Sequence, residues 1–257
     1  MINIKKIIVT KVGSSTILNP DLTVDQTAIN NIANNIIQLN KQGFWTILVS
    51  SGAIGLGAGI LKVPVPSSDN LELEQTCASV GEIELILSWE KALKDFNISQ
   101  LLVNHAVFNV GFTKENLHKT LIESLEMGII PVINDNDSVS SAGIDSHFTD
   151  NDELAVKIAQ CVNAKKLIIL SDVHGLFKAN SESEIIPVVE EIDEEILNLV
   201  IKTKPFGGMK NKLLAIKEAM ENGIEVCLTY GKLENAILSS FEVDFKGTRF
   251  IKKPEKS

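Results

Sequence analysis

The sequence predicts an α/β protein, a three-layer αβα sandwich with a mostly parallel central sheet. Short runs of β-branched and aliphatic residues alternate with longer segments of helical periodicity. Such alternation is typical of parallel strands joined by right-handed helical crossovers. The segment 167–170 is apolar at every position, as expected of a strand covered on both faces. Gly43, Gly128 and Gly223 directly follow helical segments, where glycine commonly ends a helix.

We expect six strands and six helices in a largely alternating order, assigned from the period of the apolar residues. The strands are predicted near residues 6–12, 44–50, 99–104, 129–133, 166–171 and 224–229. The helices are predicted near residues 24–42, 71–96, 114–127, 151–163, 192–202 and 209–222. The segment 138–148 is polar and contains a glycine, so we expect it to form a hairpin or a mobile flap. We expect the segment 178–184 to form an exposed loop.

The length and composition of the chain allow one large core and exclude several classes of protein. Its 257 residues, of which 44% are hydrophobic, suffice for a single domain over 1–257, with a soft boundary near residue 164. The net charge is −9 and the pI is about 5.0, so nucleic acid is not expected as a partner. The chain shows no membrane-length apolar run and no signal-peptide pattern, which favours a cytoplasmic protein.

The cysteines indicate a reducing compartment and no metal site. Cys77, Cys161 and Cys227 are widely separated, and each lies within an apolar pattern. The sequence has no CxxC, and no histidine joins the cysteines at the spacing of metal ligands. We therefore expect buried, reduced thiols and no protein-built metal centre.

The first strand ends in a lysine followed by a turn of small residues. Gly13 and Ser14 follow Lys11 almost at once, and such a turn offers close backbone approach and N–H donors to a phosphate. The alternative is a solvated lysine that closes an edge strand. The turn is not a P-loop, which places its lysine after the glycines, and no G-x-G-x-x-G supports a Rossmann-type oxidoreductase. We favour a phosphate site.

The second strand ends in the turn Ser51-Gly52. Ser51 could cap a helix, or the hydroxyl and the N–H groups of the turn could bind an anion or a carboxylate. The further glycines Gly55, Gly57 and Gly59 argue against a regular helix here, because each costs about 1 kcal/mol relative to alanine.

Two acidic segments follow the fourth strand. Residues 134–137 read Asn-Asp-Asn-Asp, which fits an Asx-rich turn but also a site for the ammonium group of an amino acid. Residues 150–152 read Asp-Asn-Asp, and here Asp150 could act as the N-cap with Asp152 favouring the helix dipole. Three such residues exceed what a cap requires, so a ligand-binding role stays equally open.

Two later segments point to a nucleotide. Ser171-Asp172 ends the strand at 166–171 and Gly175 follows, which indicates either a turn or a ribose or phosphate contact. Residues 206–212 read Phe-Gly-Gly-Met-Lys-Asn-Lys and begin a helix. Lysines at a helix start are unfavourable unless an anion is present, and a nucleotide phosphate would supply one.

Taken in order, these motifs resemble those of the amino acid kinase family, and within it the members that phosphorylate L-glutamate. The shared pieces are Lys-x-Gly-Ser, Ser-Gly-Ala, the two acidic segments, Ser-Asp and Gly-Gly-Met-x-x-Lys. Each motif alone is modest, but six in this order and at this spacing are specific. The resemblance covers nearly the whole chain.

The resemblance implies the amino acid kinase fold and ATP-dependent phosphorylation of the γ-carboxylate of L-glutamate to L-glutamyl 5-phosphate, the first step of proline biosynthesis. The implied catalytic residues are Lys11, Lys212 and Asp152, with Asp152 holding the two lysines in place. The residues implied to bind glutamate are Ser51, Gly52, Asp137 and Asn151. The residues implied to bind the nucleotide are Lys11, Gly13, Ser14, Ser171, Asp172, Phe206, Gly207, Gly208, Met209, Lys210, Asn211 and Lys212.

The resemblance also implies cofactors and partners. Mg²⁺ would arrive bound to the phosphates of ATP, the amino acid would bind to about residues 1–164, and the nucleotide to about 165–257. A homo-oligomer of two or four chains is implied, with glutamate-5-semialdehyde dehydrogenase as a functional partner. Many bacterial members carry a further carboxyl-terminal, RNA-binding-like domain, of which this sequence shows no sign.

The residue types agree with this chemistry. A carboxylate is already a competent nucleophile, so no general base is required, whereas lysines, N–H groups and a metal stabilise the charge of the transferred phosphoryl group. The alternatives are a kinase of the same fold for N-acetylglutamate, aspartate or a nucleoside monophosphate, and a non-catalytic amino-acid sensor. The acidic segment 134–137 favours a free amine, and retention of both lysines argues against a sensor.

Overall fold

A computed structural model describes residues 6–67, 69–139, 151–178, 181, 184–203 and 208–252. Its strands are β1 (Ile7–Val12), β2 (Trp45–Ser50), β3 (Ile98–Val103), β4 (Ile130–Asp135), β5 (Lys166–Ser171), β6 (Val188–Val189), β7 (Glu225–Tyr230) and β8 (Thr248–Phe250). Its α-helices are α1 (Ser14–Ile17), α2 (Gln26–Lys41), α3 (Ala53–Leu61), α4 (Leu71–Ala92), α5 (Ala106–Asn109), α6 (Gly111–Glu126), α7 (Asn151–Cys161), α8 (Glu194–Thr203) and α9 (Gly208–Glu221).

The strands of the described residues form one sheet in the order β3-β4-β2-β1-β5-β7-β8-β6. The first six strands of this order are parallel to one another, and β8 runs antiparallel to β7. The carboxyl ends of the six parallel strands therefore meet at one edge of the sheet, where α/β proteins usually bind ligands. The prediction of a mostly parallel sheet is confirmed, and its six strands lie within a few residues of their predicted bounds.

Two hydrophobic cores cover the two faces of the sheet. Alternate residues of β1 and β5 divide between them, because successive side chains of a strand point to opposite faces. Val9 and Ile169 pack with α6, α7 and α9, whereas Ile8 and Ile168 pack with α2 and α4. The predicted three-layer αβα sandwich is confirmed. The sheet is continuous across the soft boundary near residue 164, since β1 pairs with β5.

Helix α3 follows β2 directly, so the expectation that its glycines disfavour a helix was wrong. A Cβ added at Gly57 would lie 1.8 Å from the carbonyl oxygen of Cys77, and one at Gly81 would lie 1.9 Å from that of Ala53. Helices α3 and α4 thus cross backbone against backbone. The packing that these glycines allow outweighs their unfavourable helix propensity.

The predicted flap 138–148 lies almost entirely outside the described residues. The loop 178–184 is described at Lys178, Ser181 and Glu184. The ends of this loop meet, because the backbone N–H of Lys178 donates to the carbonyl oxygen of Glu184 at 2.8 Å and their side chains form an ion pair at 2.9 Å. Both end residues are exposed, as predicted.

The three cysteines are buried and form no disulfide, which confirms the prediction of buried thiols. Burial raises the pKa of the Cys227 thiol to about 12. None of the helices over the described ranges is both long and apolar enough to cross a membrane.

Candidate active site

Lys11, Asp152 and Lys212 meet in one buried cluster at the carboxyl edge of the sheet. The Nζ of Lys11 lies 2.8 Å from Oδ1 of Asp152, and the Nζ of Lys212 donates to Oδ2 of the same carboxylate. The three side chains are at most 9% exposed. The family resemblance implied that Asp152 holds the two lysines in place, and the fold does bring all three together on this single carboxylate.

The fold places each member of the cluster on a different element. Lys11 follows Val9 on the face of β1 that is covered by α7 and α9, because side chains alternate along a strand. Asp152 lies in the first turn of α7, and Lys212 lies near the start of α9.

A second contact between α7 and α9 holds these two helices in register. Lys157 and Gln160 of α7 both contact Oε1 of Glu218 of α9, at 2.6 and 3.0 Å. The pair Asp152–Lys212 is therefore supported by a further polar contact along the same two helices.

The cluster places one ionised carboxylate between two buried lysines. Burial acts to raise the pKa of Asp152, but the charges and hydrogen bonds of Lys11 and Lys212 lower it to about 2. Asp152 is thus ionised at neutral pH and holds two ammonium groups side by side. Two buried ammonium groups in one place are suited to bind the oxygens of a phosphate.

Gly13 brings the turn after β1 close to β5 and to the lysine. Its N–H donates to the carbonyl oxygen of Leu170 at 3.1 Å. We expected this N–H to donate to a phosphate, but the hydrogen bond to Leu170 already occupies it. A Cβ at Gly13 would lie 3.4 Å from that oxygen and 3.8 Å from Nζ of Lys11. Ser14 begins α1 and is exposed.

A second group of polar residues lies where β2, β4 and α7 meet. The side-chain amide of Asn151 donates from Nδ2 to Oγ of Ser51 at 2.7 Å and to Oδ1 of Asn134 at 3.2 Å. Oδ1 of Asn151 is buried and has no hydrogen-bond partner among the described residues. Gly52 has φ +118°, which only glycine adopts readily, and this conformation turns the chain from β2 into α3.

Asp137 lies two residues after the end of β4, close to several other carboxylates. Burial and then the charges of Asp135, Glu74 and Glu82 raise the pKa of Asp137 to about 7. Asn151, whose side chain contacts Asn134 at the end of β4, immediately precedes Asp152 at the start of α7. The acidic residues around Asp137 and the lysine cluster therefore share one edge of the sheet. A cationic amine would relieve this repulsion, because it would supply the opposite charge.

Sequence reasoning missed Glu74 and Glu82. Both belong to α4, and their spacing of eight residues keeps them on the same side of that helix. That spacing could have shown that they act together. It could not have shown which strand they face, because this depends on the close crossing of α3 and α4 at Gly57 and Gly81.

The residues predicted to bind the nucleotide are described only in part. Ser171 is buried and donates from Oγ to Oδ1 of the exposed Asp172 at 3.1 Å. Met209 packs against the core that α6, α7 and α9 form on one face of the sheet. Lys210 and Asn211 are exposed at the start of α9, close in sequence to Lys212. Gly208 begins α9. The predicted residues that lie outside the described residues are Asp150, Phe206 and Gly207.

A further feature at this edge was not predicted from the sequence. The rings of His174, after β5, and Tyr230, at the end of β7, lie 4.6 Å apart between centroids. Tyr230 is the register partner of Ser171, since β5 and β7 are neighbouring parallel strands.

The parallel sheet, the buried lysine cluster and the acidic group around Asp137 (Glu74, Glu82 and Asp135) are typical of one class of α/β proteins, which transfer phosphoryl groups. Residues 6–230 match the model of the amino acid kinase family. The chain belongs to the amino acid kinase family.

Its relatives include glutamate 5-kinases. The chain is 33% identical to the glutamate 5-kinase of Lactococcus lactis subsp. lactis, over 98% of this chain and 97% of the relative. It is 34% identical to that of Enterococcus faecalis, over 96% and 95%. It is 36% identical to that of Haemophilus influenzae strain PittGG, over 96% of this chain and 69% of the relative.

Solved structures with lower identity share the fold. The carbamate kinase of Giardia lamblia bound to AMP-PNP is 16% identical with a TM-score of 0.70, over 97% of this chain and 99% of that one. The N-acetylglutamate synthase of Neisseria gonorrhoeae is 15% identical with a TM-score of 0.71, over 96% of this chain and 60% of that one.

Proposed function

We propose that this protein transfers the γ-phosphoryl group of ATP to the γ-carboxylate of L-glutamate, producing L-glutamyl 5-phosphate for proline biosynthesis. The observation that carries the proposal is the convergence of Lys11 and Lys212 on Asp152, next to an acidic group suited to an amine. The relatives at 31–36% identity named glutamate 5-kinase support the choice of acceptor.

The lysines would stabilise the phosphoryl group during transfer. The acceptor and the phosphates are all anionic, so the main difficulty is to bring them together and to stabilise the charge on the equatorial oxygens. Two buried ammonium groups meet that need, and a well-aimed donor of this kind is typically worth ~3 kcal/mol. Asp152 would keep both ammonium groups aimed at one point.

The acidic group would hold the other end of the acceptor. Asp137 would bind the α-ammonium group of glutamate, and the buried Oδ1 of Asn151 would accept a further hydrogen bond from it. Ser51 and Gly52, at the end of β2, would bind a carboxylate. This arrangement disfavours an N-acylated acceptor, because an amide nitrogen carries no charge to offset the carboxylates.

The nucleotide would bind at the ends of β5 and β7. The proposed contacts are Gly13 and Ser14 through the turn after β1, Ser171 and Asp172 after β5, and the start of α9. Over the described ranges, no group of three or more His, Cys, Asp or Glu is arranged to bind a metal. We propose that Mg²⁺ enters as the magnesium complex of ATP, as part of the substrate, because Mg²⁺ is usually bound through substrate phosphates in such sites.

We also propose a cytoplasmic homo-oligomer of two or four chains. An acyl phosphate hydrolyses readily, so an enzyme that reduces it, glutamate-5-semialdehyde dehydrogenase, is the proposed functional partner. Light scattering after size-exclusion chromatography measures the number of chains.

Hydroxylamine trapping tests the reaction directly. The protein is incubated with ATP, Mg²⁺, hydroxylamine and one acceptor at a time: L-glutamate, N-acetylglutamate or L-aspartate. We expect hydroxamate from glutamate at a rate well above the other two, and none without ATP. A higher rate with N-acetylglutamate or aspartate would assign a different acceptor, and no product with any of them would argue against a kinase.

A further inference from the structure

Glu82 lies at the head of a chain of side-chain hydrogen bonds that ends in the proposed glutamate site. Its Oε1 accepts from Nε2 of Gln100 at 2.7 Å, and its Oε2 accepts from Nδ2 of Asn134 at 2.9 Å. Oδ1 of Asn134 then accepts from Nδ2 of Asn151 at 3.2 Å, and the same Nδ2 donates to Ser51 at 2.7 Å.

The direction of every hydrogen bond in this chain follows from the carboxylate. Burial raises the pKa of Glu82, although the hydrogen bonds from Asn134 and Gln100 act to lower it. In its ionised form the carboxylate only accepts hydrogen bonds, so the amide of Asn134 turns its NH₂ group towards Glu82. The side-chain oxygen of Asn134 then points to Asn151, and Asn151 donates to it from its own NH₂ group. Oδ1 of Asn151 is left as a buried acceptor with no partner among the described residues, facing away from the chain of bonds.

Glu82 itself is held firmly. The preceding residue, Gly81, lies against the backbone of Ala53 so closely that a Cβ there would come within 1.9 Å of its carbonyl oxygen. The other ligand of the carboxylate, Gln100, comes from β3, which pairs in register with β4 at Val132. The backbone of Glu82 is thus positioned by the close packing of α4 on α3, and its carboxylate by hydrogen bonds to β3 and β4.

We propose that Glu82 is a positioning residue of the acceptor site, which sets the amide orientation of Asn134 and Asn151 and adds negative charge that favours an acceptor with a free ammonium group. This inference rests on the proposed glutamate kinase activity. Glu82 does not touch the reacting atoms. It acts on the acceptor through Asn134 and Asn151, and on Asp137 through its charge.

The effect of its charge on Asp137 gives a signature that a purely structural role lacks. Among the residues that the structure describes, the charged groups that act on Asp137 are Asp135 of β4 and Glu74 and Glu82 of α4. Burial, and after it these three charges, raise the pKa of Asp137 to about 7. Neutralising Glu82 removes one of these charges. The pKa of Asp137 should then fall, and the acidic limb of kcat/KM for glutamate should move to lower pH.

Three variants separate the two effects. Glu82→Gln keeps an oxygen that can accept from Asn134 but removes the charge. Glu82→Leu removes both, leaving the amide of Asn134 free to turn. Glu84→Gln, at an exposed position of the same helix, is the matched control.

The experiment measures kcat and KM for glutamate and for ATP across pH 5.5–9 by hydroxylamine trapping, with thermal unfolding of each variant. We expect Glu82→Gln to raise KM for glutamate several-fold and to shift the acidic limb to lower pH. We expect Glu82→Leu to raise KM for glutamate by ~10-fold or more, because it leaves a buried polar group unpaired. KM for ATP and the Glu84→Gln control should match wild type.

Two results would overturn the inference while leaving the kinase activity intact. One is a KM for glutamate in Glu82→Leu and Glu82→Gln equal to that of Glu84→Gln. The other is an unshifted acidic limb in Glu82→Gln together with equal changes in both KM values, which is the pattern of general loosening of the fold. Absence of product with the wild-type protein would instead overturn the proposed function, and with it this inference.

Discussion

Lys11 and Lys212 contact opposite oxygens of one buried carboxylate, that of Asp152, although they come from the first strand and from the last long helix. One carboxylate thus holds two ammonium groups side by side at the carboxyl edge of the sheet. In the proposed reaction, these two groups would stabilise the charge of the transferred phosphoryl group.

Replacing Asp152 by Asn should destabilise the protein and make its stability depend on MgATP. Two buried ammonium groups would lose their counter-ion, which typically costs ~3–5 kcal/mol. Bound phosphates would restore negative charge, so MgATP should raise the unfolding temperature of the variant more than that of wild type. Thermal unfolding with and without MgATP measures both effects.

The matched control for this variant is Asp95→Asn, which breaks the exposed pair Lys41–Asp95 at 3.2 Å. An exposed pair of this kind contributes at most ~1 kcal/mol. If Asp152→Asn unfolds at the same temperature as Asp95→Asn, the buried cluster does not have the role given to it here.

Replacing Asp137 by Asn should weaken the binding of glutamate and spare that of ATP. The variant loses the negative charge proposed to bind the α-ammonium group, and hydrogen bonds to charged groups are worth ~1.5–3 kcal/mol. We expect KM for glutamate to rise by ~10-fold or more. Steady-state kinetics with each substrate varied in turn measures this, and a change confined to KM for ATP would place the amine elsewhere.

The same substitution should stabilise the ligand-free protein at alkaline pH. The pKa of Asp137 is about 7 in the fold and ~3.9 in the unfolded chain. Between these values the folded state retains a proton that the unfolded state has lost, so the stability contributed by Asp137 falls as the pH rises.

The advantage of Asp137→Asn over wild type should therefore grow between pH 4 and pH 7, by up to ~1.4 kcal/mol per pH unit, and stay constant above pH 8. Urea unfolding of both proteins at pH 5, 6, 7 and 8 measures it. An advantage that is constant over this range, or that shrinks as the pH rises, would show that the pKa of Asp137 is not raised.

Replacing Gly81 by Ala should destabilise the fold and disturb the glutamate site together. The added methyl group would overlap the carbonyl oxygen of Ala53, and overpacking of this kind typically costs ~1–3 kcal/mol or more. Because α3 starts at the turn Ser51-Gly52 and α4 carries Glu82, the displaced helices should also raise KM for glutamate.

Gly111→Ala is the control for this substitution. Gly111 also lies in a helix, but a Cβ there would meet no atom within 4 Å. This variant should unfold at or above the wild-type temperature, since alanine is the better helix former. Equal unfolding temperatures and KM values for Gly81→Ala and Gly111→Ala would contradict the close crossing of α3 and α4.

The parallel sheet could be predicted from local patterns in the sequence, whereas the grouping of Lys11, Asp152 and Lys212 was implied only by the resemblance to the amino acid kinase family. Strand ends carry the motifs, and the carboxyl ends of parallel strands share one edge. Lys11 could be placed at this edge in that way, because it lies near the end of the first strand. Its meeting with Lys212 on one carboxylate depends on the packing of α7 against α9, which no local pattern specifies.

The features that sequence reasoning missed depend on tertiary packing. Gly57 was taken as a sign against a helix, whereas it permits α3 to cross α4. That crossing decides that Glu74 and Glu82 face the end of β4. The N–H of Gly13 was expected to be free, but the neighbouring strand β5 provides its acceptor at Leu170. The short strands β6 and β8 carry too few residues to show a period.

The most direct test of the central claim is the rate of hydroxylamine-trapped product, at saturating glutamate and ATP, for Lys11→Met and Lys212→Met. Each variant leaves Asp152 one lysine partner, so the fold should persist. Lys217→Met, on the same helix as Lys212, is the control. We predict that kcat falls by ~10²–10³ in each of the two variants and is unchanged in Lys217→Met. A kcat close to that of wild type in either would contradict the claim that both ammonium groups act on the transferred phosphoryl group.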